Sequence, residues 1–474
     1  MEGLAQQVLA RMPLAEAVLY VWRWAASEAF LEQIYEQNRG RGFTRILTFP
    51  LLVHLLADAL LVRGGSGREA FETARAEGEL PTSIAAAYGK LRRLPPALSE
   101  AFLAETARRL RSLWPTGADR ELPTPLAGFD VFVLDGKTVK GLHKRLKPLR
   151  NVAGGVVGGK ALVALELRTG LVLAIRTHLD GDASEMQFIP DLVEQLPRGR
   201  RRRRLWLGDR AFSYLEHVLH LGVAPDEFLV RRRSNVTFQA DRKRPARTGV
   251  DAEGRGWREE WGWLSRHRQP RVLDVRQITL GLDGGETLVL LTSLLQARRY
   301  PAAALLTLYR QRWRIERVFQ EITQVFGLEH LIGSSPQASL FQFAFCLLLY
   351  NTLQIVRAGI ARVRRLSPER LSNEKLFRDL HRQLSAWTLL VGPALTLTPA
   401  GPGLDPRTLR QVPVVTPAQV RQTIRRMLQH AWSRYWLKSP PQIRRRKPNP
   451  KGPGKHVSAY RIIQQSQSMA RSKQ

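Results

Sequence analysis

Between residues 129 and 231, short apolar runs alternate with helix-forming ones, and this alternation restricts the fold more than any other feature. Residues 129–134 are rich in Val and Phe and read as a buried strand that leads into Asp135-Gly136-Lys137-Thr138. Residues 160–167 and 171–178 predict two more strands, joined at Arg168-Thr169-Gly170. A helix over 184–196 follows, with Ser184 as its cap. Leu205-Trp206-Leu207-Gly208 is a fourth short strand and ends at Asp209. A helix over 213–221 and a strand over 227–231 complete the series. Strands that alternate with helices imply an α/β core.

The flanking segments have other patterns. Residues 1–120 read as a helical N-terminal domain, with apolar helical runs at 14–37, 49–62 and 98–110. Its short basic helix end at 85–93 is a candidate DNA-reading element or a plain solvated helix end. After a proline-rich linker, 125–231 form the first part of the α/β core. Residues 232–300 predict a β-rich insertion containing Trp257, Trp261 and Trp263. Residues 301–365 return to the core as two helices, 301–326 and 337–364. Residues 366–474 are helical and then basic, ending in the proline-rich arm 444–456. About three domains is the prior for 474 residues.

A formal net charge of +33, spread along the chain, suits an extended polyanion and above all nucleic acid. The single cysteine, Cys346, excludes a disulfide framework and a cysteine zinc cluster, and its apolar neighbours make it a small buried hydrophobe. Residues 341–356 are too short and too interrupted by Gln342, Asn351 and Gln354 to span a membrane. With no signal-peptide pattern at the N-terminus, a cytoplasmic location is expected.

Three carboxylates carry the chemistry. Asp135 and Asp209 each close an apolar strand, where ligands bind in open α/β sheets. In the helical run 301–326, Tyr309, Arg312 and Glu316 share one stripe, since a helix turns about 100° per residue. Alone, each aspartate reads as a turn residue and the helix as an ion-paired surface. Together, in so basic a chain, they favour metal-dependent phosphoryl transfer. An all-oxygen donor set suits Mg²⁺ or Mn²⁺, and three carboxylates suffice for two ions that clamp a phosphodiester.

The motifs Val133-Leu134-Asp135-Gly136-Lys137, Leu207-Gly208-Asp209-Arg210-Ala211-Phe212 and Tyr309 to Glu316 resemble those of DDE transposases of the insertion-sequence-four family. The spacing of Tyr309, Arg312 and Glu316 fits that family's signature, whereas its closing lysine falls on Thr323. Arg317 or Lys137 is the candidate replacement. The resemblance implies an RNase H-like core interrupted by the β-rich insertion, and Mg²⁺-dependent cut-and-paste transposition. It implies Asp135, Asp209 and Glu316 as ligands of two ions, with Tyr309, Arg312, Lys137 and Arg210 contacting DNA phosphates. Double-stranded DNA, namely the element's terminal inverted repeats and the target, is the implied partner, with a homodimer in the synaptic complex. A catalytically inactive, transposase-derived DNA-binding protein is the alternative, motivated by Thr323.

Other polar residues are expected to be structural. Glu321 lies five residues past Glu316, about 140° around the helix. Asp180, Asp182 and Glu185 are expected in a turn or cap, and His143, His178 and His330 lack metal-ligand spacing. Packing is the expected role of the three insertion tryptophans, with base stacking as the rival.

Overall fold

The computed structural model describes residues 11–40, 46–196, 198–199, 202–266, 269–282, 285–391, 416–439 and 456–471. The expected arm at 444–455 lies outside them. The N-terminal region is helical: α1 (Pro13–Ala25), α2 (Glu28–Asn38), α3 (Phe49–Leu61), α4 (Gly67–Ala76), α5 (Ile84–Arg93) and α6 (Pro96–Ser112). The single run expected at 14–37 is two helices broken at Ala26 and Ser27. Thr48 and Ser83 cap α3 and α5 by accepting backbone N–H bonds from Leu51 and Ala86. The basic end of α5 is partly inward: Lys90 is buried and donates to the Leu47 carbonyl.

Among the described residues the sheet is mixed and has eleven strands. Its first part comprises β1 (Phe129–Lys140), β2 (Val156–Glu166), β3 (Val172–His178), β4 (Arg203–Gly208) and β5 (Glu227–Arg231). β2 runs antiparallel to both β1 and β3, whereas β1, β4 and β5 are parallel. The later strands are β6 (Phe238–Ala240), β7 (Arg247–Val250), β8 (Gly256–Arg266), β9 (Gln269–Gly281) and β10 (Thr287–Thr292). The segment expected as a β-rich insertion therefore continues the same sheet, because β10 pairs with β5 and β9 with β10. Trp261 is buried there and donates from Nε1 to the Leu295 carbonyl at 2.8 Å, while Trp263 Nε1 donates to Gln239 at 3.0 Å. A two-residue strand, β11 (Val457–Ser458), adds in parallel to the free edge of β2.

Several boundaries differ from expectation. β1 does not stop at Leu134; Asp135 to Thr138 stay extended because Val163 to Lys160 of β2 face them in the ladder. Residues 185–188 form a 3-10 turn, followed by α7 (Ile189–Gln195), and Ser184 makes no side-chain cap. Asp209 leads into a second 3-10 turn (Arg210–Ser213) before α8 (Leu215–Leu221). Arg204, at the start of β4, is buried, with its Nε 2.9 Å from Asp226. The run expected as one helix at 301–326 is α9 (Ala302–Arg310), a 3-10 turn (Gln311–Trp313) and α10 (Arg314–Gln324).

The core centres on α11 (Pro336–Val363), in which every residue from Ala338 to Ala361 is buried. A helix buried on all faces needs apolar side chains all round and partners for each polar one. It packs against α1, α5, α6, α10 and strands β1 to β3, and against α12 (Asn373–Val391) and α13 (Pro417–Gln429). The last helix, α14 (Ala459–Arg471), lies against β2. By length and composition α11 would pass as a membrane span, yet all of its apolar window is buried inside the protein. Asn351 on α11 accepts from the Val172 N–H at 2.9 Å and donates to the Val172 carbonyl at 2.7 Å, so it serves the start of β3 as a surrogate strand. Asn351→Leu leaves both backbone groups buried without partners and should cost about 2–5 kcal/mol, read from urea denaturation midpoints; a loss below about 1 kcal/mol would contradict this role.

Candidate active site where β1 passes the end of β4

The parallel ladder of β1 and β4 brings two aspartates together. Its last pair is Val133 with Leu207, and two further residues along each chain are Asp135 and Asp209. The two carboxylates therefore leave neighbouring strands at one level. Asp135 Oδ1 accepts from the Gly136 N–H at 2.9 Å, and Asp209 Oδ1 from the Ala211 N–H at 2.7 Å. Asp209 is thus a turn-capping residue as well as a candidate site residue, and the two readings coexist.

The helical segment closes the site from above. Tyr309, at the end of α9, is buried and its hydroxyl donates to the Gly208 carbonyl at 3.3 Å, next to Asp209. Burial pushes its phenol up to about 12, so it stays a neutral donor. Arg312 lies in the 3-10 turn and is 7% exposed. Its Nη2 donates to Glu316 Oε1 at 2.8 Å and its Nη1 stands 3.9 Å from Asp135 Oδ2. Its Nε is buried without a hydrogen-bond partner. One guanidinium therefore bridges two of the three carboxylates, and Asp209 and Glu316 are each near enough to Asp135 to act on it electrostatically.

Asp135 registers this crowding. Burial is the main cause that raises its carboxyl to about 7; Arg312 opposes the rise, and the charges of Asp209 and Glu316 add to it. Oxygen-only donors whose mutual repulsion a cation would relieve suit a hard divalent ion. Yet among the described residues no three acidic, imidazole or thiol groups form a ready-made cage. Arg312 stands where positive charge is needed, so binding an ion would require the guanidinium to turn towards a phosphate.

The remaining residues singled out from the sequence divide clearly. Lys137 lies beside the site: its Nζ is 5.6 Å from the Phe319 ring centroid, and burial lowers its pKa while Asp135 raises it. Arg210 is exposed at the start of its turn. Arg317 is exposed and acts on Arg314 and Lys438, so of the two replacements for the missing lysine only Lys137 neighbours Asp135. Thr323 donates back to the Phe319 carbonyl at 2.7 Å within its own helix. Glu321 accepts from Asn373 at 2.5 Å and takes no part in the site. Asp180 accepts from the Asp182 N–H at 3.0 Å and pairs with Arg461 at 2.7 Å.

Glu185, expected in a turn or cap, does open a 3-10 turn, but its contact beside Asp135 was not foreseen. It forms an ion pair with Lys160 of β2, and a Cβ on Gly136 would stand 2.8 Å from its carboxyl carbon. A fourth carboxylate therefore packs directly on the residue after Asp135. Trp313 was also missed; it is 57% exposed beside Arg312, whose guanidinium is 5.0 Å from its ring.

The raised carboxyl has a consequence for stability. The folded chain keeps a proton on Asp135 between about pH 4 and 7, where the unfolded chain has released it. Stability should therefore fall as pH rises through that window. In chelator-treated protein, Asp135→Asn should remove the fall, and the gap between variant and wild type should widen with pH, to an upper limit of about 4 kcal/mol. Denaturation midpoints at both ends of the window measure this, and parallel pH curves would contradict it.

Residues 127–352 match the family described as Transposase DDE domain. A curated relative from Sinorhizobium fredii, y4zB, described as an inferred transposase, is 28% identical over 154 residues. That match covers 32% of this chain and 42% of the relative, so the chain spans less than half of the relative's length. A solved structure of a piggyBac transposase synaptic complex with hairpin DNA aligns over 87% of this chain and 82% of that one. Its identity is 11% and its TM-score 0.40, too low to define the fold. The matched segment, just under half of the chain, holds Asp135, Asp209 and Glu316 and is similar to transposase DDE domains.

Proposed function

We propose that the chain is a DNA transposase of the insertion-sequence-four type, with Asp135, Asp209 and Glu316 as the ligands of its divalent ions. The observation that carries the reading is the level placement of Asp135 and Asp209 on β1 and β4, with Arg312 tying Glu316 to Asp135. The strand order β3-β2-β1-β4-β5, with only β2 antiparallel to its neighbours, supports an RNase H-like core. The net charge of +33 supports a polyanionic substrate.

Two Mg²⁺ or Mn²⁺ ions, when bound, would supply Lewis-acid polarisation and charge neutralisation at the scissile phosphodiester. The chain's own groups do the positioning. Arg312 offers a planar fork that suits phosphate as well as carboxylate, so a DNA phosphate can take over from Glu316 and Asp135. Lys137 takes the place of the family lysine that Thr323 lacks, and Tyr309 holds the strand end at Gly208 that presents Asp209. Water cleaves one strand at the element end; the freed 3′-hydroxyl attacks the opposite strand, forming a hairpin and releasing the flanking DNA; a second water opens the hairpin and regenerates the 3′-hydroxyl, which then joins the target. Both element ends meet in a homodimer.

Asp135→Asn and Glu316→Gln should each lower Mg²⁺-dependent cleavage of element-end DNA by roughly a thousandfold or more, since each removes a group that acts in the transition state. Both should retain DNA affinity, because phosphate contacts dominate it. Gel assays of cleavage and anisotropy of binding measure the pair. Cleavage that survives either substitution overturns the ligand assignment. A wild-type chain that binds the ends and never cuts them identifies the non-catalytic reading that Thr323 motivates.

A further inference from the structure

The strongest unassigned feature lies behind the helix that carries Glu316. A cavity of about 630 Å³ opens between the 117–121 loop, the first turn of α10 and the C-terminal end of α11. Arg120, Arg314, Arg362 and Arg365 line it. Across Arg362 it adjoins a second hollow of about 400 Å³, walled by Arg421 and Arg425 of α13. Six arginines thus face three acids, Asp119, Glu121 and Glu369.

Packing alone does not account for this excess. Glu369 accepts from Arg120 at 2.6 Å and from Arg314 at 3.3 Å, which uses the cavity's most buried acid. Among the described residues Arg362 and Arg365 have no ion pair, and the Arg362 guanidinium lies over Gly117. Arg357, 5% exposed beneath them, has an Nε with no hydrogen-bond partner. Cations are favoured in the last turn of a helix, which accounts for Arg362, but not for Arg120 or Arg314 on other elements, nor for Arg357, which precedes that turn.

The backbone adds an independent sign. Arg365 has φ of 53° and is the single non-glycine residue at positive φ among the described residues. It follows α11 where helix ends favour glycine, and the Leu366 N–H closes the end on the Ala361 carbonyl at 2.8 Å. A side chain there costs about 1–2 kcal/mol against glycine. That cost places a guanidinium at the rim of an already cationic cavity, and strain of this kind concentrates at functional sites.

We propose that this arginine groove is a second DNA-binding site, which holds the phosphodiester backbone of a duplex outside the cleavage centre. The inference rests on the transposase reading and names part of the DNA path within it. Arg314 stands two residues before Glu316 yet is directed to Glu369, so the groove begins on the far side of the catalytic helix. Its volume lies in the range of about 300–1,000 Å³ typical of ligand sites, ample for a sugar–phosphate unit.

The test uses the full chain, a fluorescein-labelled duplex of mixed sequence and no divalent ion. Affinity is read by anisotropy over a series of NaCl concentrations. The double variant Arg362→Ala/Arg365→Ala should bind roughly tenfold or more weakly at low salt, and its slope of log K against log salt should shrink by about two. Arg362→Lys/Arg365→Lys should keep the wild-type slope. The control Arg108→Ala/Arg378→Ala removes two exposed arginines elsewhere and should leave the slope unchanged. Matching thermal melts verify that each variant is folded. Wild-type binding with an undiminished slope in the alanine double variant overturns the groove alone. A wild-type chain with no affinity for duplex overturns the transposase reading and the groove with it.

Discussion

The architecture depends on burying one 28-residue helix, α11, on every side. No single layer can do that. The sheet covers it through β1 to β3, the N-terminal helices through α1, α5 and α6, and the C-terminal region through α12 and α13. Three of its polar side chains act as ties between these layers, whereas buried Gln354 has no hydrogen-bond partner. Asn351 completes β3, Ser339 donates to Gly158 of β2, and Gln342 holds the 327–332 loop through Ile332 and His330. Each bond is made where an unmade one would leave a buried polar group unsatisfied. The same helix abuts α10, so the placement of Glu316 relative to β1 is inherited from the packing of the core.

On that rigid support the chain holds an electrostatic arrangement that is costly by itself. Two aspartates leave adjacent parallel strands at one level, and a glutamate approaches from the helix above them. Arg312 offsets part of the repulsion by bridging Glu316 and Asp135, while its own Nε has no partner. Asp135 is still driven to about 7. A site poised in this way gains from a cation and a phosphate together. The ion would answer the carboxylates, and the phosphate would free the guanidinium from them.

How much of this was legible in the sequence follows from the range of the interactions. Local alternation announced β1 to β5, and the apolar run at 337–364 announced α11 within a residue at each end. Asp209 and Glu316 both act on Asp135, although Asp135 lies within β1 rather than at its end and a 3-10 turn breaks the helical stripe. What was missed depends on partners distant in the chain. Asp135 to Thr138 look like a turn until β2, more than twenty residues later, pairs with them. Nothing near Arg204 in the sequence announces its burial, which depends on Asp226 beside it. Glu185 looks like a helix start, and only the glycine at 136, which leaves no Cβ in its way, hints at the contact. The pairing of β10 with β5, which joins the expected β-rich segment to the same sheet, was invisible for the same reason.

The break in the helix at Gln311–Trp313 matters most for how one segment serves two surfaces. An unbroken helix would step each residue by about 100°, and Arg312, Trp313 and Arg314 would fan evenly around it. In the tightened turn Arg312 is buried towards Asp135, Trp313 is 57% exposed, and Arg314 reaches Glu369 on the opposite side. Successive residues thus face the carboxylates, solvent and the arginine groove. A short 3-10 stretch within a helix often marks a functional site, and here its position between Tyr309 and Glu316 gives a physical reason. It lets Tyr309 dock on Gly208 from α9 while Glu316 enters from α10, so the groups meet without sharing one straight axis.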